Sequence, residues 1–474
     1  METRTEYDLL GAREVPAAAY YGIHALRAAE NFPLLGQPLH PALITALALV
    51  KAACAKANQR AGRLEPRLAT AIIQAAEEVD AGALTDQFIV DALQGGAGTS
   101  ANMNMNEVLA NRALEILGEP RGCYTIIDPL DHVNAEQSTN DVFPTAVRVA
   151  SLRLLLPVID DFAAMQAALE EHEQTYAAVL ALGRTEMQDA VPITWGQRFA
   201  AWAQAVQRDW WRLHVAEEKL RQVNLGGTAV GTGLNADRKY IYAVVDDLRQ
   251  FTGLNLARAE NTIDLTQNAD VFVEVSGLLK AAAATLAKIA ADLRLLSAGP
   301  AGGIAEVHLP ELQAGSSIMP GKVNPVITEA LTQVAYQVMA NDLAITLAAQ
   351  AGQLELNAFL PLIAHNLLQS LDLLHGGVQM LITRCLAGLT VDEVQTHFWL
   401  ERSSALATAV APYTGYHLAS EVAREACERH ITIREILLER GLFTPEELTQ
   451  ITAAYELTTP GIAGEKTIRR KTDR

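Results

Sequence analysis

DVFVEVSGLLKAAAATLAKIAADLRLLS, residues 270–297, is the clearest amphipathic stretch in the chain. Val271, Val275, Leu278, Ala282, Leu286, Ile289, Leu293 and Leu296 recur in steps of three and four, which puts them on one stripe of a helix. Comparable segments cover residues 145–175, 196–223, 326–350 and 358–388. Each exceeds the usual globular helix of about 11–12 residues. Only 5% of residues are aromatic while alanine is abundant, a composition suited to closely packed helices rather than a β-sandwich. The expected class is all-α. Five such helices expose wide Ala/Leu faces, and packing against copies of the same chain covers them, so a homo-oligomer is expected.

At 474 residues the chain is too long for one ordinary core. Three segments follow from composition: a mainly helical N-terminal domain over 1–140, a central five-helix bundle over 141–395, and a small helical C-terminal domain over 396–474. In the last, Thr444-Pro445-Glu446-Glu447 reads as a capping box with proline at the first helical position. The charged tail 465–474 is expected to fray.

A net charge of −18 leaves no basic footprint for a nucleic-acid partner, and any cation that binds an anionic substrate must be concentrated in the pocket. Cys54, Cys123, Cys385 and Cys427 form no CxxC pair, so neither a zinc site nor a disulfide framework is expected, and they read as buried small hydrophobes. METRTEYDLLG lacks a signal pattern and no uncharged apolar run reaches 18 residues. A cytoplasmic protein without a membrane partner is the expectation.

Four stretches carry the chemistry. GSSIMPGKVNP, residues 315–325, is too rich in Gly and Pro for a helix, and lies between a helix ending near Ser297 and one starting near Val326. It departs from a phosphate loop by one residue of spacing and by Val323 in place of Ser or Thr, which excludes nucleotide binding. What remains is Ser316, Ser317, Lys322 and Asn324: two hydroxyls, a cation and an amide, suited to gripping a carboxylate while a serine moves a proton. Taken alone, such a segment is more often a solvated connection. GGAGTSANMNMN, 95–106, offers amides that approach an anion closely and the Thr99 hydroxyl, ahead of a helix opening at Glu107. QSTND, 137–141, places Ser138, Thr139 and Asn140 at a helix start, where they cap the helix, bind an anion, or both. GRTEMQDAVP, 183–192, supplies Thr185 and Glu186.

GSSIMPGKVNP resembles the signature of the aspartase/fumarase superfamily nearly letter for letter. The resemblance extends from Asp8-Leu9-Leu10-Gly11 and Tyr20-Tyr21-Gly22 to Glu439-Arg440-Gly441-Leu442. It implies the all-α L-aspartase-like fold and a homotetramer whose active sites are each assembled from three subunits. It further implies Ser316 as general base in alkoxide form. Thr99, Ser138, Thr139 and Ser317, with Asn140 beside them, would bind the carboxylate that becomes the aci-carboxylate. Lys322, Asn324 and Thr185 would bind the other. A serine hydroxyl is a poor base in water, so loop amides, Lys322 and exclusion of water must lower its pKa.

Glu186 is the departure from the pattern. Fumarases of this kind usually carry His there, and the ammonia-lyases His or Gln. A carboxylate fits pairing with a substrate ammonium, and Glu329, matching the position that partners the His, would lie near it. The implied reaction is deamination of L-aspartate to fumarate and ammonia. The alternatives are class II fumarase chemistry, a modified aspartate as substrate, or a structural protein on this fold, as with lens crystallins. No histidine pair has metal-ligand spacing, and His132 reads as a structural hydrogen-bonder. Cofactor-free catalysis is expected, with divalent-metal activation an open alternative.

Overall fold

A computed structural model describes residues 2–468. Its largest elements are the helices Thr139–Thr175, Trp195–Leu220, Asp270–Leu296, Val326–Gln350 and Leu360–Arg384. Among the described residues strands occur only as four two-stranded pairs, so the fold is all-α. The 270–296 stripe is shifted by one residue in its first half: Phe272 and Leu279 are buried, whereas Val271 and Leu278 are only partly covered. Where apolar residues are adjacent, the period alone leaves the phase open by one residue.

By packing, the chain divides into two compact units. One comprises Met1–Asp160, Trp210–Ala284 and Val334–Gly376, and the other Asp161–Asp209, Thr285–Gln333 and Gly377–Arg474. In the first, the helix Pro41–Ala61 packs against Pro66–Asp80 and Arg238–Thr252. Pro41–Ala61 and Thr139–Thr175 reach the hydropathy of membrane spans, yet the most apolar 18-residue window of each is 78% buried inside the protein, as core helices are. This unit also holds an antiparallel hairpin, Thr3–Asp8 with Gly11–Pro16, which helical periodicity did not reveal.

The Val326–Gln350 helix has a second apolar face. Leu331, Ala335, Val338, Ile345 and Ala348 are buried, while Tyr336, Leu343 and Leu347 are more than half exposed with Ala340 between them. Steps of four, three and four residues make the exposed set one continuous stripe.

In the second unit the terminal helices bury Val410, Tyr413, Val422, Ile436, Leu437, Leu448 and Ile451 around one core. The expected capping box is present: Glu447 N donates to Thr444 Oγ1 at 3.1 Å and Thr444 N to Glu447 Oε2 at 2.8 Å. Of the tail expected to fray, 465–468 turns back so that Ile468 joins this core, and 469–474 lies outside the described residues. All four cysteines are free, but only Cys54 and Cys385 are buried; Cys427 is exposed on the helix Tyr416–Arg429.

Candidate active site

The first two loops meet in one unit. Their junction is Gly98, the N-cap of the helix Thr99–Ile116, whose φ is +94°. A Cβ there would sit 2.4 Å from the Phe143 ring, so only glycine lets the loop close onto the start of the Thr139–Thr175 helix. The helix thus begins at Thr99, eight residues earlier than the sequence suggested. Asparagines are weak helix formers, but here they bond to other segments instead of competing with the helix. Asn104 Nδ2 donates to Gln87 O at 3.0 Å, Asn111 Nδ2 to Tyr20 O at 2.8 Å, and Asn102 Nδ2 to Thr139 Oγ1 at 3.1 Å.

The second loop is fixed from behind. Ser138 Oγ accepts from Asn140 N at 3.2 Å and Asp141 Oδ1 from Ser138 N at 3.0 Å, so capping is part of the work of this stretch. The helix starts at Thr139, as the Ser138-Thr139-Asn140 stretch suggested, and Pro144 removes one of its N–H groups. The carbonyl it orphans, on Asn140, takes a bond from Asn224 Nδ2 at 3.0 Å instead. The Asn140 side chain donates to Ala229 O at 2.7 Å, and Asp141 Oδ2 accepts from Gly226 N and Thr228 N. Beneath them lies Lys51, fully buried, donating to Asn134 Oδ1 at 2.9 Å and Gln137 Oε1 at 2.8 Å. Burial pushes its amine down to about 7, with Asp141 pulling the other way. His132 accepts from Asp128 N at 2.9 Å, the structural role expected of it.

The other two loops belong to the second unit. The third is not an irregular loop but a hairpin, Leu180–Thr185 with Gln188–Thr194. Glu186 and Met187 form its turn at φ of +52° and +65°, the type I′ geometry that Asn-Gly adopts with least strain. Both side chains are exposed. Arg184 is not Glu186's partner, because it donates to Glu306 Oε1 at 2.7 Å. Glu329 lies 3.8 Å from Arg294, and no contact with Glu186 occurs among the described residues.

The signature loop is a closed turn between helices ending at Leu296 and starting at Val326. Gly315 N donates to Lys322 O at 2.7 Å and Asn324 Nδ2 to Gly315 O at 2.9 Å, so Asn324 ties the base of the loop. A Cβ on Gly315 would meet Lys322 O at 2.7 Å. At the tip, Ser316 Oγ accepts from Ile318 N at 3.1 Å and from Met319 N at 2.9 Å. Ser317 and Lys322 are exposed, and Lys322 has no acidic partner among the described residues.

Sequence reading missed Lys51, Asn102, Asn134, Asn224 and Glu306. Lys51 carried a signal, a lone cation inside the apolar run Leu47 to Cys54. Among the described residues no three His, Cys, Asp or Glu side chains converge.

Residues 11–340 match the family model described as Lyase, and 406–459 the one described as Fumarase C C-terminus. The chain belongs to the aspartase/fumarase superfamily. Relatives within this superfamily include the aspartate ammonia-lyase of Bacillus subtilis (strain 168), 47% identical over 469 residues and 99% of each chain. The aspartate ammonia-lyase of Escherichia coli (strain K12) is 42% identical over 98% of each. A fumarate lyase:delta crystallin from Brucella melitensis, solved bound to cobalt, has a TM-score of 0.93 at 46% identity, covering 97% of this chain and 100% of that one. Recombinant class II fumarase from Schistosoma mansoni has a TM-score of 0.92 at 32% identity, with the same coverage. The all-α aspartase/fumarase fold expected from sequence is therefore the fold of this chain.

Proposed function

We propose that this chain is a carbon–nitrogen lyase that reversibly deaminates L-aspartate to fumarate and ammonia. The observation that carries the mechanism is the pair of backbone N–H groups, from Ile318 and Met319, directed at Ser316 Oγ. Such bonds are stronger to an oxyanion than to a hydroxyl. Two such bonds therefore favour the alkoxide over the hydroxyl. Lys322 and exclusion of water from the covered loop supply the rest.

The Ser316 alkoxide removes the proton from the carbon next to one carboxylate. The electron pair moves onto that carboxylate, giving the dianionic aci-carboxylate, held by hydroxyls of Thr99, Ser138, Thr139 and Ser317. Asn102, donating to Thr139 Oγ1, leaves the Thr139 proton free to donate outward. Lys322, Asn324 and Thr185 hold the other carboxylate. Collapse of the intermediate forms the double bond and expels ammonia from the face opposite the lost proton. Glu186 receives the ammonium before it leaves, and Glu329 supports that end of the site. The reaction in this reading needs no cofactor, and a divalent metal acts only as an activator. The sites lie where three subunits of a cytoplasmic homotetramer meet. The exposed stripe Tyr336, Ala340, Leu343 and Leu347 supports assembly with copies of the chain.

Measuring fumarate formation from a panel of amino acids tests the reaction, and aspartate is expected to be the main substrate. With fumarate, aspartate should form only when ammonium is present. Ammonium-independent malate would favour a hydratase, and no turnover of any substrate would favour a structural protein.

Glu186→Gln keeps the shape of the side chain and removes its charge. Aspartate kcat/KM is expected to fall about 10- to 100-fold, while succinate, which lacks the amine, binds as well or better through relief of repulsion. Equal losses for both ligands would show that Glu186 only buttresses the turn.

A further inference from the structure

Glu306 carries a fully buried carboxylate nine residues before Gly315, and no step above uses it. Its backbone is pinned on both sides: Glu306 N donates to Leu296 O at 3.0 Å, and Asp392 N to Glu306 O at 2.9 Å. Val307–His308 then pairs with Thr390–Val391, so this carboxylate is a fixed point. Two guanidiniums face it. Arg184 lies at 2.7 Å, and Arg198, stacked on the Trp195 ring, at 3.6 Å.

The hairpin is irregular where Arg184 emerges. Leu182 pairs with Pro192 but Arg184 with Asp189, so the returning strand has one residue more than its partner, opposite Gly183. A Cβ on Gly183 would lie 2.4 Å from Val191 O, so the bulge requires glycine there. Bulges re-aim side chains, and this one accompanies an Arg184 that is only 17% exposed and directed at Glu306. Glu186 follows two residues later, about 7 Å along an extended chain and within the span of an arginine side chain.

We propose that Glu306 is a positioning residue for amine recognition: by holding Arg184 it keeps the Glu186 carboxylate unpaired and available to the substrate ammonium. This rests on the role given to Glu186 above. Without the Glu306 charge, Arg184 has Glu186 and its register partner Asp189, both exposed, as alternative acids. A guanidinium on Glu186 would cancel the charge that recognises the amine and leave carboxylate binding untouched.

The test compares KM for aspartate with the inhibition constant of succinate in the full-length enzyme. Glu306→Gln should lower the preference for aspartate over succinate by about tenfold, with succinate affinity retained. Adding Arg184→Gln should restore the preference, because no guanidinium remains to occupy Glu186. Equal weakening of both ligands in Glu306→Gln, or a double variant worse than the single one, would overturn the proposal. Should Glu306→Gln fail to fold, Arg184→Gln alone decides: a preserved preference supports the proposal, and a lost one overturns it. If Glu186→Gln itself shows no amine-selective loss, the role of Glu186 falls. If Glu186→Gln shows it and Glu306→Gln does not, only the positioning role falls.

Discussion

Ser316→Ala is expected to lower kcat for fumarate formation by about 10²–10⁴-fold, the range for loss of a general base. The loop should survive, because Gly315 N to Lys322 O and Asn324 to Gly315 O close it without the serine hydroxyl. The Ile318 and Met319 N–H groups lose their acceptor, at a cost of about 1–3 kcal/mol for each that falls on the loop tip and leaves its base tied. Succinate affinity should change by no more than about 1 kcal/mol, the worth of one hydrogen bond. The two readouts together separate a base from a binding group. Near-normal turnover removes Ser316 from the proton transfer, whereas a large loss of succinate binding at unchanged kcat makes it a carboxylate ligand.

Activity is expected to return when two inactive proteins, Ser316→Ala and Thr185→Val, are dissociated and reassembled together. If a site takes Thr185 and Ser316 from different subunits, random assortment gives about a quarter of the sites both intact residues. A site built within one chain would give none. Neither change touches the exposed stripe on the Val326–Gln350 helix, so assembly should proceed normally. Fumarate production near a quarter of the unmixed wild-type level, absent from either parent, is the expected result. Confirmed subunit exchange without recovery would count against shared sites.

The long helices were legible because each repeats its apolar period over several turns, and the ends at Leu296 and Val326 fell where glycine and proline placed them. Phase was harder: in 270–296 apolar residues stand side by side at 271–273 and 278–279, and the core took Phe272 and Leu279. A helix start was misplaced where tertiary bonds overrode local preference, as at Thr99 with its asparagines, whereas the start at Thr139 was legible from its capping residues. The loops were readable as chemistry because hydroxyls, an amide and a cation crowd a short segment. Their supports were not. Lys51 lies 87 residues from Ser138 and Glu306 122 residues from Arg184, and only folding brings each against the segment it braces. The third loop read as irregular because its turn uses Glu-Met, which lacks the glycine that marks a hairpin.

That Glu-Met turn has a consequence for anyone who would re-engineer this chain. Left-handed backbone on two side-chain-bearing residues is a known target for thermostabilisation, and turn statistics would nominate Asn-Gly. The substitution would relax the backbone and erase the carboxylate in one stroke. Under the role proposed for Glu186, selecting for turn stability at this position works against amine recognition, and a hardened variant is expected to be less able to tell an amino acid from its deaminated analogue.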